Sequence, residues 1–113
     1  MEKRFVLVYD EVMLAQLKKL GEDANLRQVL SDMFDKMEFL GPRAGELVDS
    51  HLFIYEMKSK RPPVRLYYKH MKETDELYVF EYEMKTSEKK QEKTIHKLQL
   101  KAEEKFKSQD LPG

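Results

Sequence analysis

The densest chemistry in this sequence lies between positions 55 and 72. Six basic residues, Lys58, Lys60, Arg61, Arg65, Lys69 and Lys72, stand there against one acid, Glu56. Inside that window, "RPPVRLYYKH" (61–70) opens with two prolines that break the chain. It continues as a strand-like run in which Val64, Leu66 and Tyr68 alternate with Arg65, Tyr67 and Lys69. Alternate side chains of a strand point to opposite faces, so one face reads as apolar and the other as a platform of Arg, Tyr and Lys. A guanidinium presents a planar fork that matches a pair of phosphate oxygens. A histidine at the strand end, His70, can exchange a proton near neutral pH. A local basic patch attracts phosphate whatever the net charge. The same pattern also describes an edge strand that carries charge against aggregation.

Residue types and spacings exclude several other chemistries. The chain has no cysteine, which removes disulfides and thiol catalysis. His51, His70 and His96 lack metal-ligand spacing, and no HExxH or Cys/His cluster is present. No phosphate-cradling glycine loop and no GxSxG elbow occurs. The methionines fall mostly on helix faces and strands, where they read as core filler. No metal and no cofactor is expected.

The elements that must position these residues follow from pattern. A chain of 113 residues suits one domain, 1–113, and 37% charged residues imply a heavily charged surface. The formal net charge is zero but uneven: 7 Lys+Arg against 10 Asp+Glu over 1–54, and 14 against 11 over 55–113. No apolar run approaches the roughly 20 residues that span a bilayer. "MEKRFVLVYD" reads as a strand rather than a signal peptide, because its apolar run is short and Asp10 follows it. A cytoplasmic location is the expectation.

"EVMLAQLKKL" reads as a helix ending before Gly21. In "NLRQVLSDMFDKMEFLG", Leu26, Val29, Leu30, Met33, Phe34, Met37 and Leu40 recur at three and four, and Gly41-Pro42 stops the helix. The short "GEDA" makes the two an antiparallel pair. Strands are expected near 46–58, 64–70 and 77–85, the first with a turn near Asp49-Ser50 and the last two joined as a hairpin by "MKETD". In "ELYVFEYEMK", strict alternation puts Tyr78, Phe80, Tyr82 and Met84 on one face and Leu77, Val79, Glu81 and Glu83 on the other. A last helix carries a narrow stripe of Ile95, Leu98, Ala102 and Phe106, with Ser87 as N-cap and a frayed "SQDLPG" tail. The order predicts an α+β domain. A small, mostly antiparallel sheet packs an N-terminal helix pair on one face, a C-terminal helix follows, and the Arg/Tyr/Lys platform stays open.

The succession "LFIYEMKSKRPPVRLYYKH…ELYVFEYEMKTSEKKQEKTIHKLQLKAEE" resembles the C-terminal half of the RelE/ParE toxin superfamily, closest to the HigB-like, phage-derived branch. Leu52 to Lys58 match that family's "LyElR" strand, and Val64 to Tyr68 match its "yRvlYf" strand, with Arg65 at the arginine. The last strand and helix match its third element. The resemblance implies a RelE-like fold and the toxin of a type II toxin–antitoxin system. It implies a metal-independent mRNA endonuclease, ribosome-dependent in many members, with a cognate antitoxin as partner. The ribose 2′-hydroxyl attacks the adjacent phosphate and leaves a 2′,3′-cyclic phosphate and a 5′-hydroxyl. That reaction requires a base, a cation on the phosphate and an acid for the leaving oxygen.

Carried onto this chain, the resemblance gives Arg65 the phosphate, against the alternative of a cross-strand salt bridge to Glu81 or Glu83. Lys58 can stabilise the phosphate or stand as a solvated edge lysine. Glu56 is a candidate base, or a salt-bridge partner of Arg65 or Lys58. His70 is a candidate acid or base, or an exposed histidine. Lys60, Arg61, Lys69, Lys85 and Lys89 are candidate RNA contacts. Tyr67 can stack on a base or cover the sheet. Two rival readings stay open: a gyrase-directed toxin of the ParE branch, and a non-enzymatic binding protein on the same fold.

Overall fold

A computed structural model gives the architecture of residues 2–110, with side chains over 2–106. The strands are β1 (Val6–Tyr9), β2 (Glu46–Asp49), β3 (Ile54–Lys60), β4 (Pro63–Met71) and β5 (Glu76–Met84). The helices are α1 (Glu11–Lys19), α2 (Ala24–Leu40) and α3 (Glu88–Asp110). One five-stranded sheet has the order β1-β5-β4-β3-β2. β2 through β5 form an antiparallel meander, and β1 pairs in parallel with β5. The run expected at 46–58 is two strands, because residues 50–53 turn between β2 and β3. Among the described residues, no helix is long and apolar enough to cross a membrane.

The helix pair forms as its pattern requires. Asp10 caps α1 by accepting from the Val12 N–H, and Asp23 caps α2 by accepting from the Leu26 N–H. α2 ends at Gly41, at φ +58°, a conformation that L side chains rarely adopt. A Cβ there would also collide with the Phe5 ring, so the close approach of the chain entering β1 depends on glycine. Met13, Leu26, Leu30, Met33 and Met37 bury against Met57, Val64, Leu66, Tyr68, Leu77 and Val79 of the sheet. Gln16 reaches beyond the end of β1 and bonds both the N–H and the carbonyl of Tyr82.

α3 departs from the expected layout. A three-residue link, 85–87, turns the chain onto the second face of the sheet, where Ser87 caps the helix by accepting from the Lys90 N–H. Ile95, Leu98, Ala102 and Phe106 then pack on Ile54, Tyr67, Tyr78 and Phe80. The platform expected to stay open is covered, so the sheet lies between two helical layers. Of the tail expected to fray, 108–110 continue α3, and 111–113 lie outside the described residues.

The alternation expected for β5 also fails, for a definite reason. Tyr67 pairs with Glu81 but Tyr68 pairs with Val79, so Phe80 is an extra residue in β5. A β-bulge of this kind shifts the parity of everything after it. Leu77, Val79 and Tyr82 therefore join the helix-pair core, whereas Tyr78 and Phe80 face α3. Glu81 and Glu83 are engaged by α3 side chains on that second face.

Candidate nucleic-acid interface

The sheet face beneath α3 carries five carboxylates, and each meets one polar side chain of α3. Lys101 Nζ donates to Asp10 at 2.9 Å, and Gln99 Nε2 to Asp49 at 2.7 Å. Gln91 Nε2 donates to Glu56 at 2.8 Å, and Thr94 Oγ1 to Glu83 at 2.6 Å. Lys97 Nζ donates to Glu81 at 2.9 Å. Asp10, Glu56, Glu81 and Glu83 are all buried. Buried carboxylates are costly unless paired, so these contacts are conditions for α3 to lie where it does.

Two of these carboxylates and one neighbouring phenol sit in strongly shaped local fields. Burial pushes the Asp10 carboxyl up, but bonds from the Tyr78 hydroxyl, the Val12 N–H and Lys101 outweigh it and hold the group below the ordinary carboxylate range. Burial likewise raises Asp49, and bonds from the Leu52 N–H, Gln99 and the His51 N–H carry it below that range. Burial, with the Tyr67 hydroxyl donating to Glu83 at 2.8 Å, pushes the Tyr67 phenol far up.

Arg65, the third residue of β4, lies half-buried on the polar face near the β3–β4 turn. Its Nη1 stands 3.0 Å from Glu56 Oε1, a diagonal contact between β4 and β3. Of the ion pairs weighed from the sequence, the one between Glu56 and Arg65 is made, and Glu81 and Glu83 are engaged by Lys97, Tyr67 and Thr94 instead. Gln91 holds the other Glu56 oxygen, so in this arrangement Glu56 anchors the guanidinium and offers no open oxygen to a substrate hydroxyl. A buried charge-assisted pair fixes the direction of the guanidinium fork.

The remaining cations gather at one end of the sheet, around the β3–β4 turn. Lys58 faces Arg65 across the strand pair, and Lys60 faces Pro63. Arg61 occupies the turn itself, and the Lys85 N–H donates to the Pro63 carbonyl at 2.8 Å. Lys89 follows in the first turn of α3. Lys58 makes an exposed contact with Glu46 at 3.3 Å. Lys60, Arg61 and Lys89 are exposed, and Lys85 is half-buried. The hairpin end thus presents a rim of cations above the Arg65–Glu56 pair.

Three sequence candidates fall elsewhere. Tyr67 is fully buried under α3 and has no face open to a base. The physical reason is the crossing of α3, which sequence alternation does not report. Lys69 is buried, donates to the Leu52 carbonyl and lies 5.7 and 5.6 Å from the Phe53 and Phe106 ring centroids. His70 is five residues along β4 from Arg65, about 16 Å at ~3.3 Å per residue. It packs edge-on against Phe5 and stands 3.5 Å from Asp75. His70 and Arg65 therefore cannot meet at one phosphate in this arrangement.

Sequence reasoning missed Gln91 and Thr94 as site neighbours. One signal was present: 91, 94 and 98 continue the helical spacing of the α3 stripe toward its N-terminus, with polar residues in place of apolar ones. Asp10 and Lys101 carry no such signal, being 91 positions apart.

No family model matches the chain, and no curated relative matches it. Solved structures do. The RelE toxin of E. coli in isolation has a TM-score of 0.59 at 22% identity, with 82% of this chain and 98% of that chain covered. The intact E. coli RelBE toxin–antitoxin complex contains a chain at 0.58 and 21% identity, with coverage of 74% and 100%. An E. coli RelE mutant in complex with a peptide of the antitoxin RelB gives 0.57 at 21% identity, with coverage of 80% and 93%. The helix pair, the five-stranded sheet and the C-terminal helix together make the fold of this chain that of the RelE toxin.

Proposed function

We propose that this protein is the toxin of a type II toxin–antitoxin pair, of the HigB-like branch. It acts in the cytoplasm as a metal-independent, ribosome-dependent mRNA endonuclease. The observation that carries the reading is the convergence of Lys58, Lys60, Arg61, Lys85 and Lys89 on the hairpin end around Arg65. Backbone phosphates of RNA track such a rim. Arg65, aimed by Glu56, then neutralises charge on the phosphate as the 2′-oxygen bonds to phosphorus and the bond to the 5′-oxygen breaks.

α3 sets the state of this site. With α3 seated, Gln91 and Arg65 occupy both oxygens of Glu56. Release of the helix removes Gln91 and opens one carboxylate oxygen beside the guanidinium. That oxygen is placed to take the 2′ proton, and the 5′-oxygen regains a proton from solvent or a neighbouring donor. The antitoxin acts on this face or on the helix that covers it.

A second reading draws on the same face. The acidic lining beneath α3 and the burial of Tyr67 favour a RelE-fold protein without nuclease activity, either gyrase-directed or purely binding. The separating experiment is induced expression of wild type and Arg65→Ala with mapping of mRNA 5′ ends. Growth arrest with new ends inside translated codons, absent in the variant, is the expected result. Arrest without new ends supports the gyrase-directed reading, and soluble folded protein that causes no arrest supports the binding protein.

A further inference from the structure

We infer that the end of the sheet remote from Arg65 carries a binding site for a small aromatic carboxylate. The inference needs neither RNA nor an antitoxin, so it stands apart from the toxin reading. Where the β2–β3 turn and the β4–β5 loop approach Phe106 of α3, a cavity of about 310 Å³ is lined by Phe53, Lys69, Met71, Lys72 and Phe106. That volume lies at the small end of ligand pockets. A second cavity of about 320 Å³ shares Phe53, Lys69 and Phe106 with the first. The backbone marks the same place. Phe53 has φ +57°, and Asp75 in the opposite loop has φ +55°. A bulky residue rarely takes the left-handed region, and such outliers persist where the surroundings fix them, often at ligand clamps. Here the His70 N–H donates to the Phe53 carbonyl at 3.0 Å, and Asp49 accepts from the His51 and Leu52 N–H groups just before it. Glycine would make this turn without strain, so what the position holds at a cost is the ring.

The groups around that ring set the chemistry of the ligand. Lys72 Nζ stands 3.9 Å from the Phe53 ring centroid, and Lys69 Nζ stands 5.7 Å from it. Two ammonium groups therefore converge on one ring. Lys69 is buried against Phe53 and Phe106, so its charge is poorly screened by solvent. Among the described residues, no ion pair joins Lys72 to a carboxylate. The acids of the loop are bonded or solvated: Glu76 accepts from the Thr74 hydroxyl at 2.9 Å, and Glu73 is exposed. The cavity thus sets positive charge beside an apolar wall of Phe53, Met71 and Phe106. A flat apolar body fits against two rings and a thioether, while one acid group meets the ammonium side. Glu73 and Glu76 work against a second negative charge, which disfavours polyphosphates. A neutral ligand would forgo the ammonium field, and a cationic one would oppose it. Phe106 belongs to α3 and Phe53 to the sheet layer, so an occupant touches both and ties down the C-terminal half of the helix.

The probe is naphthoate, titrated into the full wild-type chain beside the uncharged naphthamide, with backbone amide NMR shifts as the readout. The expected result is saturable binding of naphthoate at one site, with shifts confined to 52–54, 69–76 and 102–106. Naphthamide should bind at least tenfold more weakly, with the gap narrowing at high salt. Lys72→Met should weaken naphthoate at least threefold and leave naphthamide unchanged. Phe53→Gly, which suits the backbone, should weaken both ligands at least tenfold in a folded chain. Hydrogen exchange should show the amides of 102–106 gaining protection as naphthoate saturates the site, because a ligand that binds only the folded arrangement stabilises it. No saturable binding, shifts centred elsewhere, or equal affinity for the acid and the amide overturns the inference. So does a Lys72→Met chain that binds naphthoate as wild type does, or undiminished binding by Phe53→Gly. Should Phe53→Gly fail to fold, Lys72→Met, a change at an exposed residue, decides the question. The toxin reading fails separately, through absence of growth arrest, and leaves the naphthoate result standing.

Discussion

The two faces of the sheet are held by different physics. On the helix-pair face, Met13, Leu30 and Met37 meet Leu66, Leu77 and Val79 with almost no exposed area. Contacts of that kind are non-directional and lose little to salt or pH. On the other face, α3 has the narrow row of Ile95, Leu98, Ala102 and Phe106, and five hydrogen-bonded carboxylates flank it. Such an interface is specific, but each polar link is worth little net because water offers the same bonds. The scaffold is therefore built on one face and the switchable element on the other. Segments that move in function come from the less stable parts of a fold.

The comparison makes its largest prediction at the apolar layer. Leu30→Ala should cost about 3 kcal/mol of global stability, read as a lower urea midpoint with an unchanged slope. Leu98→Ala, equally buried in α3, should instead speed hydrogen exchange across 88–106 while the sheet amides stay protected. Equal global losses from both variants would mean that the two faces form one cooperative unit and would end the distinction.

Next in size is Thr94→Val. It leaves one oxygen of the buried Glu83 without its donor and should cost about 1–2 kcal/mol. The loss should again appear first as exchange in α3. Glu83→Gln in the same background should recover part of it, because a neutral amide needs less compensation.

The acid response comes third. The Asp10 and Asp49 carboxyls are held below their ordinary range when folded. A group whose folded value is depressed contributes stability above its unfolded value, about 3.9, and that contribution is lost as pH falls through the folded value. Both residues anchor α3, so the helix should loosen below about pH 4 while the apolar face persists. Lys101→Ala removes one of the bonds that depress Asp10 and should move the onset of loosening to higher pH, followed by exchange or circular dichroism.

The smallest effect belongs to the rim. Lys58→Ala breaks an exposed contact with Glu46 and should change stability by less than roughly 0.5 kcal/mol. If the rim binds RNA, the same substitution should weaken binding to an unrelated single strand and reduce its salt dependence. A stability loss above 1 kcal/mol would place Lys58 in the scaffold rather than the interface.

What could be read from the sequence divides along the same line. The α2 stripe from Leu26 to Leu40, the α3 stripe from Ile95 to Phe106 and the Ser87 cap are local patterns, and they place the helices. The turn near Asp49-Ser50 was visible in the same way. The parallel pairing of β1 with β5 was not, because it joins segments about seventy positions apart. The bulge at Phe80 was hidden because a period of two has no mark for one inserted residue. The site follows suit: Lys58, Lys60 and Arg61 are close to Arg65 in sequence, whereas Lys85 joins them through a long-range contact with Pro63, Glu56 meets Gln91 across 35 positions and Asp10 meets Lys101 across 91. Burial of Tyr67 and Lys69 depends on where α3 goes, which no residue of β4 encodes.

The three-residue link between β5 and α3 sets a threshold. A short tether keeps the helix at an effective concentration in the millimolar range at its own docking site. A free segment with identical contacts, present at micromolar levels, is outcompeted about a thousandfold. A partner that opens this protein must therefore bring contacts beyond the face it takes over. Below the concentration where those extra contacts tell, the closed form dominates, so the tether moves the midpoint of the response to higher partner concentration without changing its shape.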